Sequence, residues 1–236
     1  MNFLTEIFNT LLYRPLFNAL IFLYQVLPGH DFGIAVIVLT SLIRIGLSPL
    51  MLRSLKSQKV MVEVQKEIKA IQQKHKENFE KQKEEISAVY KKRQINPFDG
   101  FIFLLIQLPI LIALYRVFWM GMRPEELGLL YSFVSKPETI QFQFLNIINL
   151  SEPSLALSVV AGLMQFIQSK TISRANKTET PKGNEKKMTD IMSNQMLYLF
   201  PVLTVLILLR LPAAVGLYWI VTTVFSIIQQ NLIFKT

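Results

Sequence analysis

AVIVLTSLIRIGLSPL, residues 35–50, sets one arginine, Arg44, in the middle of an apolar run that extends over about 32–52. A helix needs about 20 predominantly apolar residues to cross a hydrocarbon core of roughly 30 Å, so this run is long enough to span. A guanidinium at mid-depth costs roughly 2.5–3.5 kcal/mol on insertion scales, and such a residue faces a bundle interior or a watery cavity rather than lipid. Thr40, Arg44 and Ser48 follow an i, i+4, i+8 spacing and so share one face of the helix. Asp31, Asp99, Glu152 and Asp190 all fall near the ends of apolar runs, which leaves no acid at Arg44's depth to pair with it. The reading is a functional cationic site, and the alternative is a structural arginine bonded to backbone carbonyls.

The rest of the chain agrees with a membrane setting. Hydrophobic residues make up 51% of its 236 positions and charged residues 17%, against about 25% charged in ordinary soluble domains. Four more apolar runs, about 98–118, 153–172, 191–209 and 213–233, are candidate spans. The N-terminal stretch differs, because Glu6, Arg14 and Pro15 interrupt it and its uninterrupted part covers only about Leu16–Leu27. That is too short to cross comfortably, so residues 1–30 are expected to form an interfacial helix on the external surface. The rival reading is a sixth span that includes residues 4–14. No cleavable signal peptide is expected, since Glu6 stands where a basic region would be.

Charge sets the expected orientation. Segment 53–97 carries twelve basic and six acidic residues, and 173–190 carries Arg174, Lys177, Lys182, Lys186 and Lys187. Between the second and third spans, Arg123 and Lys136 stand among Glu125, Glu126 and Glu138. Basic loops stay cytoplasmic during insertion, so both basic segments should lie inside. Five spans satisfy this with the N-terminus outside and the C-terminus inside. Trp119, Tyr131, Phe133, Phe142 and Phe144 suit an external interfacial region.

Within 53–97, Met61, Val64, Ile68, Ile71 and His75 fall on one helix face, and Phe79, Ile86, Val89 and Tyr90 can supply a second. A turn near Glu77-Asn78 joins them, and Asn96-Pro97 stops the second helix. The expectation is a cytoplasmic antiparallel hairpin with a thin apolar seam and solvated basic faces; a solvated loop of mixed charge is the alternative.

Other spans have polar faces too. The second has Gln107 beside Pro109; the third has Ser158, Gly162, Gln165 and Ser169; the last has Tyr218, Thr222 and Gln229, with Trp219, Thr223, Ser226 and Gln230 alongside. Hydroxyls and amides at such positions often serve as interhelical glue, at about 0.6–2 kcal/mol per bond. Gathered around Arg44 they would line a hydrated cavity inside the membrane. The two histidines, His30 and His75, lie outside the spans, and no cysteine and no G-x-x-x-x-G-K occur. Thiol, intramembrane hydrolytic and nucleotide chemistry therefore lack their residues, and no enzyme activity, metal or cofactor is expected.

LTSLIRIGLSPL (39–50), YKKRQINPFDGFIFLLIQLPILIALYRVF (90–118) and LPAAVGLYWIVTTVFSIIQQ (211–230) resemble the core spans of the YidC/Oxa-type membrane protein insertases. The first carries the single arginine followed by a proline; the second matches through Asn96-Pro97, Gly100, Gln107, Pro109 and Leu114-Tyr115; the third through Pro212-Ala213, Leu217-Tyr218-Trp219 and Gln229-Gln230. The matching blocks are spread over 31–234. Ala214 departs from a common glycine and Thr223 from a frequent asparagine. The resemblance is to short bacterial forms without a large external domain, and without the lipoprotein cysteine of many Gram-positive members.

The resemblance implies an all-α integral membrane protein whose core, residues 31–236, has five transmembrane helices around a hydrophilic groove. It implies a multi-pass protein of the bacterial cell membrane that assists insertion of nascent membrane proteins without nucleotide hydrolysis. Arg44, Thr40, Ser48, Gln107, Gln165, Trp219 and Thr222 form the candidate substrate-binding groove. The ribosome, a Sec-type translocon and membrane lipids are the expected partners besides substrates. A secondary transporter or channel for a small anion also places a cation at mid-depth, and a purely structural scaffold would leave Arg44 unexplained.

Overall fold

The computed structural model describes residues 3–94, 99–120, 124–175 and 197–234. The described chain is mainly helical, with one two-stranded ribbon in an otherwise irregular segment between Leu129 and Leu155. Helix α1 (Phe3–Phe8) continues through a π-helical turn (Asn9–Tyr13) into α2 (Arg14–Val26). Pro15 follows directly on the π-helical turn, an irregularity of the ladder of the kind that accommodates a proline inside a continuous helix. Gly29, at φ 81°, turns the chain into α3 (Phe32–Lys74). Then come α4 (Phe79–Lys92), α5 (Asp99–Met120), strands β1 (Gln143–Phe144) and β2 (Ile148–Asn149), α6 (Leu155–Ala175), α7 (Leu197–Leu208) and α8 (Ala213–Phe234).

Three helical stretches among the described residues are long and apolar enough to cross a membrane: Thr5–Val26, Phe32–Met61 and Ala213–Phe234. Two shorter apolar helical stretches, Gln107–Trp119 and Leu197–Leu208, lie where the second and fourth spans were expected, and α6 covers the third. The expected 53–97 boundary leaves no mark on the backbone. Helix α3 runs unbroken from the apolar span into the basic segment, through Pro49. The Asn96-Pro97 stop, most of the second basic loop at 173–190 and the first residues of the fourth expected span lie outside the described residues.

The hairpin is present. Helix α4 folds back on α3 and buries Val64, Ile68, Ile71 and Val89, with Val60, Met61, Ile86 and Tyr90 around them. Asn78 caps α4 by accepting from the Lys81 N–H at 3.0 Å. Phe79, expected on this seam, is instead 77% exposed. It is the first residue of α4, directly after the Asn78 cap, and stays outside the buried seam.

The main core joins α2, α3, α5 and α8. Asp31 caps α3 by accepting from Ile34 N–H at 2.9 Å, and its other oxygen accepts from Leu145 N–H at 2.6 Å. The N-terminal helical stretch, α1 through α2, presents Tyr13, Phe17, Leu20, Ile21 and Tyr24 to this core. Its polar groups bond along their length to segment 124–141: Tyr13 to Glu126, Asn18 to Leu129 and Tyr131, Gln25 to Ser135 and Tyr24 to Gln141. At the π-helical turn of this N-terminal strap (Phe3–Val26), Arg116 near the end of α5 donates to Asn9 at 2.6 Å and stacks over Tyr13. Gly162 lets α6 and α7 touch, since a Cβ there would stand 2.4 Å from Val205 Cγ2.

Candidate functional site: a polar seam between α3 and α8

Helices α3 and α8 run side by side, and α8 also packs on α6 and touches α5. Arg44 lies in this junction with only 2% of its surface exposed, the bulkiest fully buried side chain of the described residues. Burial of so strongly hydrated a group requires polar company. Its Nη1 donates toward Met51 Sδ at 3.6 Å, and Tyr218 on α8 lies within Coulombic reach.

Gln107 of α5 donates to the Tyr218 hydroxyl, joining α5 to α8 beside Arg44. Ser48, one turn beyond Arg44, accepts from Gln229 Nε2 at 3.2 Å. Trp219 Nε1 donates to Gln165 Oε1 at 3.1 Å, tying α8 to α6. Thr40 is buried one turn before Arg44, and its hydroxyl donates to Val36 O at 2.6 Å, within its own helix. Thr222 stands one turn beyond Tyr218 on α8, partly buried. Thus α3 supplies Thr40, Arg44 and Ser48, and α5, α6 and α8 bring Gln107, Gln165, Trp219 and Thr222 to the same set of interfaces.

Three contributors escaped the candidate set. Tyr218 accepts from Gln107 and lies within Coulombic reach of Arg44; Gln229 holds Ser48; and Met51 contacts the arginine from a position seven residues along α3. Tyr218 and Gln229 were legible as part of α8's polar face. Met51 was not, because a thioether in an apolar run reads as core.

Below the seam, Lys59 Nζ donates to Ile233 O at 3.1 Å, close to the C-terminal end of α8. At the hairpin tip, Glu85 lies 2.9 Å from His75 Nε2 and 3.2 Å from Lys74 Nζ. These bonds, that from His75 first, hold the Glu85 carboxyl below the usual glutamate range. Arg93 and Glu67 make a further exposed pair at 3.7 Å. Among the described residues no group of three or more His, Cys, Asp or Glu could hold a metal ion.

The sequence profile described as "60Kd inner membrane protein" matches residues 22–236. Membrane protein insertase YidC of Fusobacterium nucleatum is 30% identical over 205 residues, covering 87% of each chain. Membrane protein insertase YidC 2 of Bacillus anthracis is 31% identical over 233 residues, 97% of this chain and 82% of that one. Membrane protein insertase YidC 1 of Listeria monocytogenes is 34% identical over 209 residues; the match covers 87% of this chain but only 64% of that longer protein.

Proposed function

This chain belongs to the 60Kd inner membrane protein family, and from that membership we propose that it is a bacterial membrane protein insertase working through the α3–α8 seam. The observation that carries the reading is Arg44, buried at 2% exposure inside an apolar helix, one turn from the Ser48–Gln229 bond to α8 and with Tyr218, which bonds Gln107 of α5, within Coulombic reach. Such a site offers the hydrophilic tail of a substrate a polar halfway station. Low-dielectric walls strengthen the pull of the guanidinium on acidic residues of that tail. The substrate's apolar segment then partitions into lipid, and its burial drives the process without nucleotide hydrolysis.

In this reading the seven candidate residues share the work. Arg44 attracts charge, Ser48, Gln107, Gln165 and Thr222 give hydrogen bonds to a passing backbone, Trp219 orients Gln165, and Thr40 satisfies its own helix. The hairpin lies in the cytoplasm and delivers substrates from the ribosome; a Sec-type translocon and lipid are the further partners. Helix α1–α2 lies on the external surface. Its long enough apolar length alone would permit a span, but both Asn9 and Tyr24 bond to groups beside the same outer ends of α3 and α5. A spanning helix would carry Asn9 about 22 Å away from Tyr24 along the membrane normal.

The test is reconstitution of the purified chain into liposomes with a synthesised substrate. Protease-protected insertion without nucleotide supports the insertase reading. Anion flux with no insertion would replace it by a small-anion pathway.

A further inference from the structure

Lys59 is the second cation on Arg44's side of α3. It lies eleven residues beyond Ser48, which at 100° per residue returns it to within about 20° of Ser48's direction. Its neighbours Arg53 and Lys56 are exposed, whereas Lys59 is partly buried against the end of α8. Its ammonium donates to a neutral backbone oxygen, Ile233 O. Among the described residues no carboxylate stands within ion-pair distance of Lys59, and Glu63, one turn further on, is exposed to solvent. A carboxylate makes a stronger, charge-assisted bond with an ammonium than a neutral carbonyl does. An arriving acid can therefore displace the carbonyl, and lysine's flexible stem can follow it.

We propose that Lys59 is the receiving contact for carboxylates of the substrate tail at the cytoplasmic mouth of the seam, ahead of Arg44. The proposal rests on the insertase reading above. Fifteen residues of α3 separate the two cations, about 22 Å along the axis. An extended tail covers that distance in about seven residues at roughly 3.3 Å each. A tail with two acids about seven residues apart can hold Lys59 and Arg44 at once, so the first is released only when the second is seated.

The experiment uses the purified full chain, Lys59→Gln and Lys59→Arg in liposomes, at equal amounts and with thermal stability checked. Matched substrates carry a neutral tail or a tail with two acids seven residues apart. Replacing an ammonium–carboxylate bond by a neutral one predicts about tenfold less insertion of the acidic tail by Lys59→Gln. The neutral tail should insert as before, and Lys59→Arg should keep the acidic tail. Equal loss for both tails overturns the proposal and makes Lys59 a tie between hairpin and core. Loss confined to vesicles with anionic lipid overturns it too, assigning Lys59 to a lipid phosphate. Unchanged insertion of the acidic tail by Lys59→Gln does the same. If the unaltered chain inserts neither tail, the insertase reading itself falls.

Discussion

The guanidinium of Arg44 and the sulfur of Met51 lie 3.6 Å apart across Pro49, on one continuous helix. Proline removes the N–H that would bond Ile45 O, which weakens the ladder at that turn. The contact from Arg44 to Met51 bridges this weak point from the side. The charge at the seam and the path of α3 toward the hairpin are therefore joined in one place.

Asn18 secures the N-terminal strap. Its amide donates to Arg14 O at 2.8 Å and Leu129 O at 3.2 Å, and its oxygen accepts from Tyr131 N–H at 2.6 Å. Asn18→Leu would take the partner from the Tyr131 N–H, while Leu129 O keeps its bond from Arg14 Nε at 3.0 Å, at a cost of about 1–3 kcal/mol. Proteolysis within 124–141 should accelerate while the hairpin stays protected. Unchanged cleavage would show that the strap is held by its apolar face.

At Gly162 the expected change is in packing. Gly162→Ala brings a methyl into Val205 and should destabilise the α6–α7 contact by about 1–3 kcal/mol. Val205→Ala removes the obstructing carbon, so the double variant should lose less than the two single losses combined. Strict additivity in thermal unfolding would count against the close approach.

The hairpin tip should respond to acid. Glu85 has its carboxyl pKa lowered by His75 and Lys74, so its contribution is present above the unfolded value, about 4.3, and fades as pH falls through the lower folded value. Glu85 is exposed, so the effect should be small and weaken with salt. Amide exchange at 74–82 in the intact protein should rise below about pH 4 by this linkage. Glu85→Gln should exchange faster at pH 7 and lose that pH dependence. Equal exchange in both proteins at every pH would remove the tip contact from the account.

Orientation is open to chemistry because the chain has no cysteine. Single cysteines at positions 60, 80 and 180 are expected on the cytoplasmic side, and those at 135 and 211 outside. Labelling of position 80 by a membrane-impermeant maleimide in intact cells would reverse the proposed topology.

The hairpin seam was readable because burial on a helix leaves a 3.6-residue period, and Val64, Ile68, Ile71 and Val89 follow it. Phe79 obeyed the period yet projects from the turn, where periodicity says nothing about a facing surface. The apolar length of the N-terminal helix was underestimated because Arg14 and Pro15 divide its apolar run, whereas the helix continues past both from Thr5 to Val26. In the seam, Arg44 drew attention by its charge alone. The approach of Tyr218, with its bond to Gln107, depends on which helices meet, which spacing along one chain does not contain.

The role of Arg44 is tested most directly by insertion of two substrates that differ only in tail charge. Purified Arg44→Lys and Arg44→Ala would be compared with the unaltered chain in liposomes, at equal amounts. If Arg44 acts by attracting acidic tails, lysine keeps much of the activity despite lacking the planar fork. Alanine impairs the acidic tail and spares the neutral one. Equal loss for both tails in a protein of normal thermal stability would contradict the electrostatic account.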